Sequence, residues 1–169
     1  MKLFKIGAFE LPAYAGFDIA QRYEEMGGET ILRAVSGRGI PQRTWRKTRV
    51  VTSASGWVPS GLQALDFDAQ HALACITPET VPADPITRQA TLPTTRRADA
   101  GHLPYGLAEL AGGQTVLAAA TLAGNVATVE AVTGAVRYQV GYYPLLTCWL
   151  LRPQRTGPSP TWELIAEEV

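Results

Sequence analysis

The sequence predicts a mainly β chain with little helix: a β-barrel or β-sandwich module followed by a second, small β-sandwich-like module. Three observations carry this expectation. Sixteen glycines and twelve prolines cut the chain into short apolar segments, the punctuation of turns between strands. Several of those segments alternate apolar with polar residues, the period of a half-buried strand. No heptad, long helical period or fixed-length repeat competes with that pattern.

Taken in order, "FDIAQRYEE" sets Phe17, Ile19 and Tyr23 against Asp18, Arg22 and Glu24. Met26-Gly27-Gly28 and then "ETILRAV" follow, predicting two strands joined by a tight glycine turn; a helix across 17–26 is the competing reading. Ser36-Gly37-Arg38-Gly39 forms a second turn, and its glycines lack the strand-then-helix context of a phosphate-binding loop. "QRTWRKTRVVTSAS" is a long strand rich in Thr, Val and Trp. "GWVPSGL" is a loop, with Trp57 and Leu62 as its expected anchors. The stretch that follows it ends in a strand, where Leu73 and Cys75 are out of phase with Ala74 and Ile76.

Residues 78–105 change character, dense in Pro and Thr and poor in large apolar residues, with one strand expected at "RQATL". Beyond them "LAELAGG", "TVLAAATLAGN" and "VATVEAVTGA" return at turn spacing. "VRYQVGYY" sets Val136, Tyr138, Val140 and Tyr142 against Arg137, Gln139, Gly141 and Tyr143, and "TWELIAEEV" closes the chain as a strand or a turn of helix. The division expected is a module over 1–80, a proline- and threonine-rich linker or excursion over 81–100, and a second module over 101–169 whose last strands are free to return to the first.

Of the 169 residues, 46% are hydrophobic and only 18% charged, against roughly a quarter charged in an ordinary soluble domain. That is the composition of a subunit whose surface is covered by neighbours, although a small soluble enzyme shares it. Fifteen basic residues balance fifteen acidic ones, which argues against a dedicated nucleic-acid binder. Cys75 and Cys148 lie in apolar runs and read as buried hydrophobes, with a disulfide between them left open. Neither a signal peptide nor an apolar run of about 18 residues is present, so the expectation is synthesis and folding in a cytoplasm, away from membranes.

The search for chemistry returns little. His71 and His102 stand in unrelated contexts, with no HExxH or CxxC spacing. Asp66 and Asp68 flank Phe67; on a strand they would share a face and form a carboxylate pair or a hard-cation site, but no third ligand is nearby and a solvated turn is the preferred reading. Ser60 has no identifiable base and no nucleophile elbow. No metal, cofactor or small-molecule substrate is expected; a small hydrolase or lyase would need a site assembled from distant loops.

One segment stands out. Residues 33–51 hold six cations and no carboxylate. On a strand, Arg43, Trp45, Lys47 and Arg49 point one way and Thr44, Arg46, Thr48 and Val50 the other. Neither face of its first half is apolar, so it should project as an arm or edge. Complementary anionic blocks lie at Asp66, Asp68, Glu79 and Asp84, and at Glu163, Glu167 and Glu168. The expected subunit contact therefore uses Arg38, Arg43, Arg46, Lys47 and Arg49, with Trp45 as apolar anchor, against Asp66, Asp68, Glu163, Glu167 and Glu168 of an identical neighbour. A nucleic-acid module using 33–49 is the alternative, weakened by the single aromatic in the block.

Three stretches carry a resemblance: "FDIAQRYEEMGGETILRAVSGRGIPQRTWRKT", "GWVPSGLQALDFDAQHALACITP", and "RRADAGHLPYGLA" through "RYQVGYYPLLTCWL" to "TWELIAEEV". Together they resemble the structural tail and baseplate proteins of tailed bacteriophages, nearest in type to the ripcord subunit that joins tube to baseplate in contractile tails. The resemblance covers most of the chain but rests on glycine turns, aromatic strands and a Trp-Glu ending. It implies a mainly β, non-enzymatic homo-oligomeric subunit ringed around the tail axis. Its partners would be copies of itself and other tail or baseplate proteins, and its place the virion.

Overall fold

The computed structural model describes residues 4–12, 18–156 and 161–169. Strands account for 59% of the chain and helix for 3%, so the chain is mainly β. It divides into two compact units, one made of Lys5–Leu73 and Thr147–Val169, the other of Ala74–Leu146 with Phe4. Among the described residues no helix is long and apolar enough to cross a membrane. Phe17, part of the first alternating segment, lies outside the described residues.

The discontinuous unit is built on one sheet. Its strands, in spatial order, are β2 (Phe9–Glu10), β1 (Lys5–Ile6), β5 (Gln70–Ala74), β13 (Leu145–Leu150), β15 (Thr161–Glu168), β4 (Gly39–Ser55) and β3 (Ala20–Arg33), with β14 (Gln154–Thr156) paired to β15 off that path. On β15 the alternation is clean: Trp162, Leu164 and Ala166 are buried and the residues between them less so. The register sets these three against Ala54, Thr52 and Val50 of β4, and Leu150 of β13 against Ala166. One continuous apolar face results, with each large side chain worth about 1.5–3 kcal/mol when fully buried. Gln21 donates its amide to the buried Thr52 hydroxyl at 3.2 Å, whereas the buried Trp162 Nε1 of the same face has no hydrogen-bond partner among the described residues. The closing segment is thus a strand, because its period is two.

Two expectations for this unit change. The tight turn placed at Met26-Gly27-Gly28 is not there. β3 runs unbroken through it, and the chain reverses at 34–38, where Ala34 N–H donates to the Arg38 carbonyl at 3.0 Å and Gly37 takes φ 82°. Gly37 supplies the left-handed conformation the reversal needs. Gly27 and Gly28 do not have positive φ; they mark a bulge, where the β3–β4 register slips between Gly27 and Glu29. Likewise Leu62, on the one-turn helix α1 (Ser60–Gln63), is fully buried, but Trp57 is 77% exposed. Leu62 anchors the loop together with the buried Val58 and Pro59.

The contiguous unit holds a four-stranded sheet, β6 (Glu79–Ala83), β12 (Ala135–Tyr142), β8 (Tyr105–Leu110), β9 (Thr115–Ala118), and a three-stranded one, β10 (Ala120–Ala123), β11 (Val126–Val129), β7 (Gln89–Thr91). Both contribute to one core of Ala90, Leu92, Ala108, Ala127, Val129, Tyr138, Val140 and Tyr142, the arrangement of a small sandwich. The sheets approach closely at Gly106, where an added Cβ would lie 2.5 Å from Val129 Cγ1.

Residues 81–100 are a structural part of this unit and not a linker. Val81 and Ala83 pair with Val140 and Tyr138, Ala90 pairs with Ala127, and Leu92 is buried. The prolines that suggested a linker are tolerated by position. Pro82 stands on β6, an edge strand, where a missing N–H leaves no ladder bond unmade. The first and last turns of the unit meet: β5 and β13 are neighbours in the larger sheet, and Cys75 N–H donates to the Pro144 carbonyl at 3.0 Å.

Candidate subunit interface

β4 pairs with β15 only from Arg49 onward, whereas its pairing with β3 continues to Gly39. The distal hairpin is therefore a two-stranded arm, from Arg46 outward roughly 25 Å long. Every residue of β4 from Gly39 to Arg46 is exposed. This is the projection the sequence led one to expect, and among the described strands its outer strand β3 is the edge of the sheet, paired with β4 alone.

The charges of the arm are arranged by the register. Glu24 stands opposite Arg49 and Glu29 opposite Arg43. Arg43 Nε lies 2.9 Å from Glu29 Oε1, and Arg46 Nη2 donates to Glu25 Oε2 at 2.6 Å. At the root of the arm an alternating run crosses three strands. Arg22 donates to Glu24 at 3.0 Å, Arg49 Nη1 lies 3.9 Å from Glu24, and Arg49 Nε and Nη2 both donate to Glu167 Oε1, at 3.1 and 2.8 Å. The Val51 side chain, on the same face as Arg49 and Ile165, is buried.

The expected division into a cationic patch and an acidic partner patch is therefore corrected in part. Arg49 and Glu167, assigned to opposite sides of a contact between copies, pair within one chain. Lys47 donates to the Val169 main-chain oxygen, and Glu168 accepts the Thr48 N–H at 2.9 Å. The C-terminal acidic block is thus engaged by its own β4. Glu163 sits in register between Ser53 and Gln154. Carboxylates the basic segment lacks, Glu24, Glu25 and Glu29, come from β3; the register that aligns them follows once the reversal is placed at 34–38.

Trp45 is half exposed, and its indole crosses Gly28: a Cβ there would lie 2.7 Å from Trp45 Nε1 and 2.3 Å from Thr44 Oγ1, while Thr44 Oγ1 donates to the Gly28 carbonyl at 3.0 Å. Beyond the bulge the arm turns apolar. Ile31, Leu32, Val35 and Ile40 are 68%, 49%, 110% and 48% exposed. Arg38 makes no ion pair among the described residues, and Arg33 bonds only the Gly37 carbonyl at 3.2 Å.

Asp66 and Asp68 are not on a strand. They occupy the turn after α1, where Asp66 accepts the Asp68 N–H at 3.0 Å and its carbonyl meets His71 Nε2 at 2.6 Å. Both are exposed. Among the described residues no group of three or more His, Cys, Asp or Glu side chains could hold a metal ion. Cys75 and Cys148 are buried free thiols.

In the contiguous unit one cluster escaped the sequence reading. Arg97 is buried, its side chain 1% exposed, and donates Nε and Nη2 to the two oxygens of Asp99 at 2.8 and 2.6 Å and Nη1 to the Cys75 carbonyl at 2.9 Å. His102, also buried, meets Asp99 Oδ2 through Nδ1 at 2.9 Å and abuts Tyr143 edge to face. The Arg97 guanidinium holds the Asp99 carboxyl well below the usual carboxylate range. With Arg97 N–H bonded to the Tyr143 carbonyl, the cluster ties segments 74–75, 96–102 and 143 together. "RRADAGH" carries its donors and acceptor within six residues, which is the signal that was available. No family model, no curated protein and no solved structure matches the chain.

Proposed function

We propose that the chain is a structural subunit of a bacteriophage tail or baseplate, assembling with copies of itself into a ring around the tail axis and joining the tube to the baseplate hub without catalysis. The observation that carries the self-assembly is the β3–β4 arm. A projecting hairpin whose tip exposes Ile31, Leu32, Val35 and Ile40 beside the edge of the described sheet is a surface that a solitary soluble protein keeps short or covers. The resemblance of the sequence to tail and baseplate proteins supplies the setting. Low charge content fits a surface shared with neighbours. The carboxylate partners of Arg43, Arg46 and Arg49 favour this reading over a nucleic-acid module, because those cations are already neutralised within the chain's own sheet.

Replacing residues 28–45 by an Asn-Gly turn removes the arm and leaves the core of the sheet. The intact chain is expected to sediment as a closed oligomer and to appear as rings by electron microscopy, and the shortened chain as a folded monomer. An intact chain that stays monomeric at every concentration, indistinguishable from the shortened one, would overturn the proposal.

A further inference from the structure

Main-chain hydrogen bonding sorts the residues of the distal arm into an inward and an outward set. Ala34 N–H donates to the Arg38 carbonyl at 3.0 Å, and facing pairs of an antiparallel ladder alternate between bonded and unbonded. Leu32 therefore bonds toward Ile40 and Thr30 toward Gln42. Glu29, Ile31 and Arg33 of β3, and Arg43, Pro41 and Gly39 opposite them on β4, turn their main-chain groups outward. The two edges so formed differ. That of β4, from which β15 parts at Arg49, has Pro41 in its outward set and lacks a donor there. That of β3 has its full set of donors and acceptors, and among the described strands it pairs with β4 alone. A strand added to the arm is thus accepted at β3 and refused at β4.

We infer that two copies join through the distal halves of their β3 strands, antiparallel and centred on Ile31, to make a four-stranded sheet β4–β3–β3–β4; this rests on reading the chain as a self-assembling subunit. The segment 29–33, "ETILR", is its own complement in that direction. With Ile31 facing Ile31 of the second copy, Glu29 faces the second copy's Arg33 on both sides of the twofold axis, and every one of these pairs belongs to the outward set that main-chain bonding requires. Sliding one strand by two residues sets each charge against an isoleucine or a residue without charge. Sliding it by four sets Glu29 against Glu29 or Arg33 against Arg33. In the centred register Glu29 lies between its own Arg43, 2.9 Å away, and an Arg33 that makes no ion pair among the described residues and bonds the Gly37 carbonyl of its own chain. Residues 29–33 are all exposed, and Ile31, 68% accessible, is covered by its counterpart. A twofold contact closes at two copies, so the pair is the unit from which a larger ring is built. Its charges, Glu29 and Arg33, were not among those first assigned to the contact.

Two measurements on the full-length chain test this. In sedimentation at low salt, Arg33→Glu and Glu29→Arg each set like charges opposite one another on both sides of the axis, and each should weaken self-association about tenfold. Mixed in equal amounts, the two variants regain both Glu–Arg pairings and should associate one to one within about threefold of the parent. Ile31→Cys, mildly oxidised, should form a disulfide-linked homodimer at least about ten times faster than Ile40→Cys, whose thiols in the joined arms stand roughly 14 Å apart across the sheet; the native Cys75 and Cys148 are buried. Every substitution falls on an exposed residue of the arm, so loss of fold does not confuse the result. Association that needs the arm but ignores both charge variants, with Ile31→Cys no faster than Ile40→Cys, would overturn this pairing and leave the assembly reading standing. A chain that never associates, with or without its arm, would overturn both.

Discussion

Arg97 is the residue whose isolation would cost most. It is a guanidinium taken out of water and neutralised by Asp99, which keeps 40% of its side chain exposed. Removing one partner of a buried pair strands the other, so Asp99→Asn is expected to destabilise the contiguous unit by about 2–3 kcal/mol, at the low end for such pairs because Asp99 is still partly hydrated. The pH dependence has a definite sign. Asp99 titrates lower in the folded state than its ordinary value near 4, so its contribution is complete above about pH 5 and is lost as the pH falls below about 4. Thermal unfolding between pH 2 and 6 should show that loss in the parent and a flatter profile in Asp99→Asn. Gly28 makes a different demand. A methyl group there collides with the Thr44 and Trp45 side chains, both on the exposed arm, so Gly28→Ala should swing the indole into solvent at a cost under about 1 kcal/mol. Acrylamide quenching of Trp45, taken by difference against Trp45→Phe, should rise. The role of Gly28 was not legible in the sequence: a glycine pair reads as a turn until the strand opposite is known to place a tryptophan over it.

Among elements, the β3–β4 hairpin contrasts with β15. Its ion pairs are exposed, with side chains more than half accessible at Arg43 and Arg46, and exposed pairs contribute about 1 kcal/mol or less. Arg43→Ala or Arg46→Ala should therefore shift a urea midpoint very little. Leu164→Ala, on the buried face of β15, should cost about 2–5 kcal/mol. The strand character of β4 and β12 was readable because a period of two survives in a sheet with one covered face, while the closing segment that became β15 stood open between a strand and a turn of helix. The length of β3 was not readable, since its distal half has no buried face to impose a period. The turn expected at Ser36-Gly37-Arg38-Gly39 is the reversal; adding another at Met26-Gly27-Gly28 hid Glu24, Glu25 and Glu29 from the cations they neutralise, which made the basic segment look far more isolated in charge than it is.

At the scale of the whole molecule, net neutrality conceals two kinds of charge. Some is paired across strands, as at Arg43, Arg46 and Arg49, and some, as at Arg38, makes no ion pair among the described residues, a distinction that depends on register and so lay beyond composition. The mainly β class, by contrast, was legible from punctuation alone. The segment 81–100 was misread because small and proline residues can line an edge strand as easily as a linker. Pairing of β15 with β4 joins residues more than a hundred positions apart, so the discontinuous unit cannot complete its sheet until the last strand is available, whereas the contiguous unit closes on contacts within its own span.

Where the chain leaves β5 and where it rejoins at β13 are held one hydrogen bond apart, Cys75 to Pro144. A polypeptide that departs and returns through so narrow a gate behaves as a cassette: whatever is threaded between those points can be exchanged without stretching the host sheet. Excising 76–143 and closing the gap with a two-residue turn should yield a protein that still melts cooperatively and still keeps its arm. Nature would have had the same freedom, able to refit this position with a different module while the assembling sheet stayed as it is.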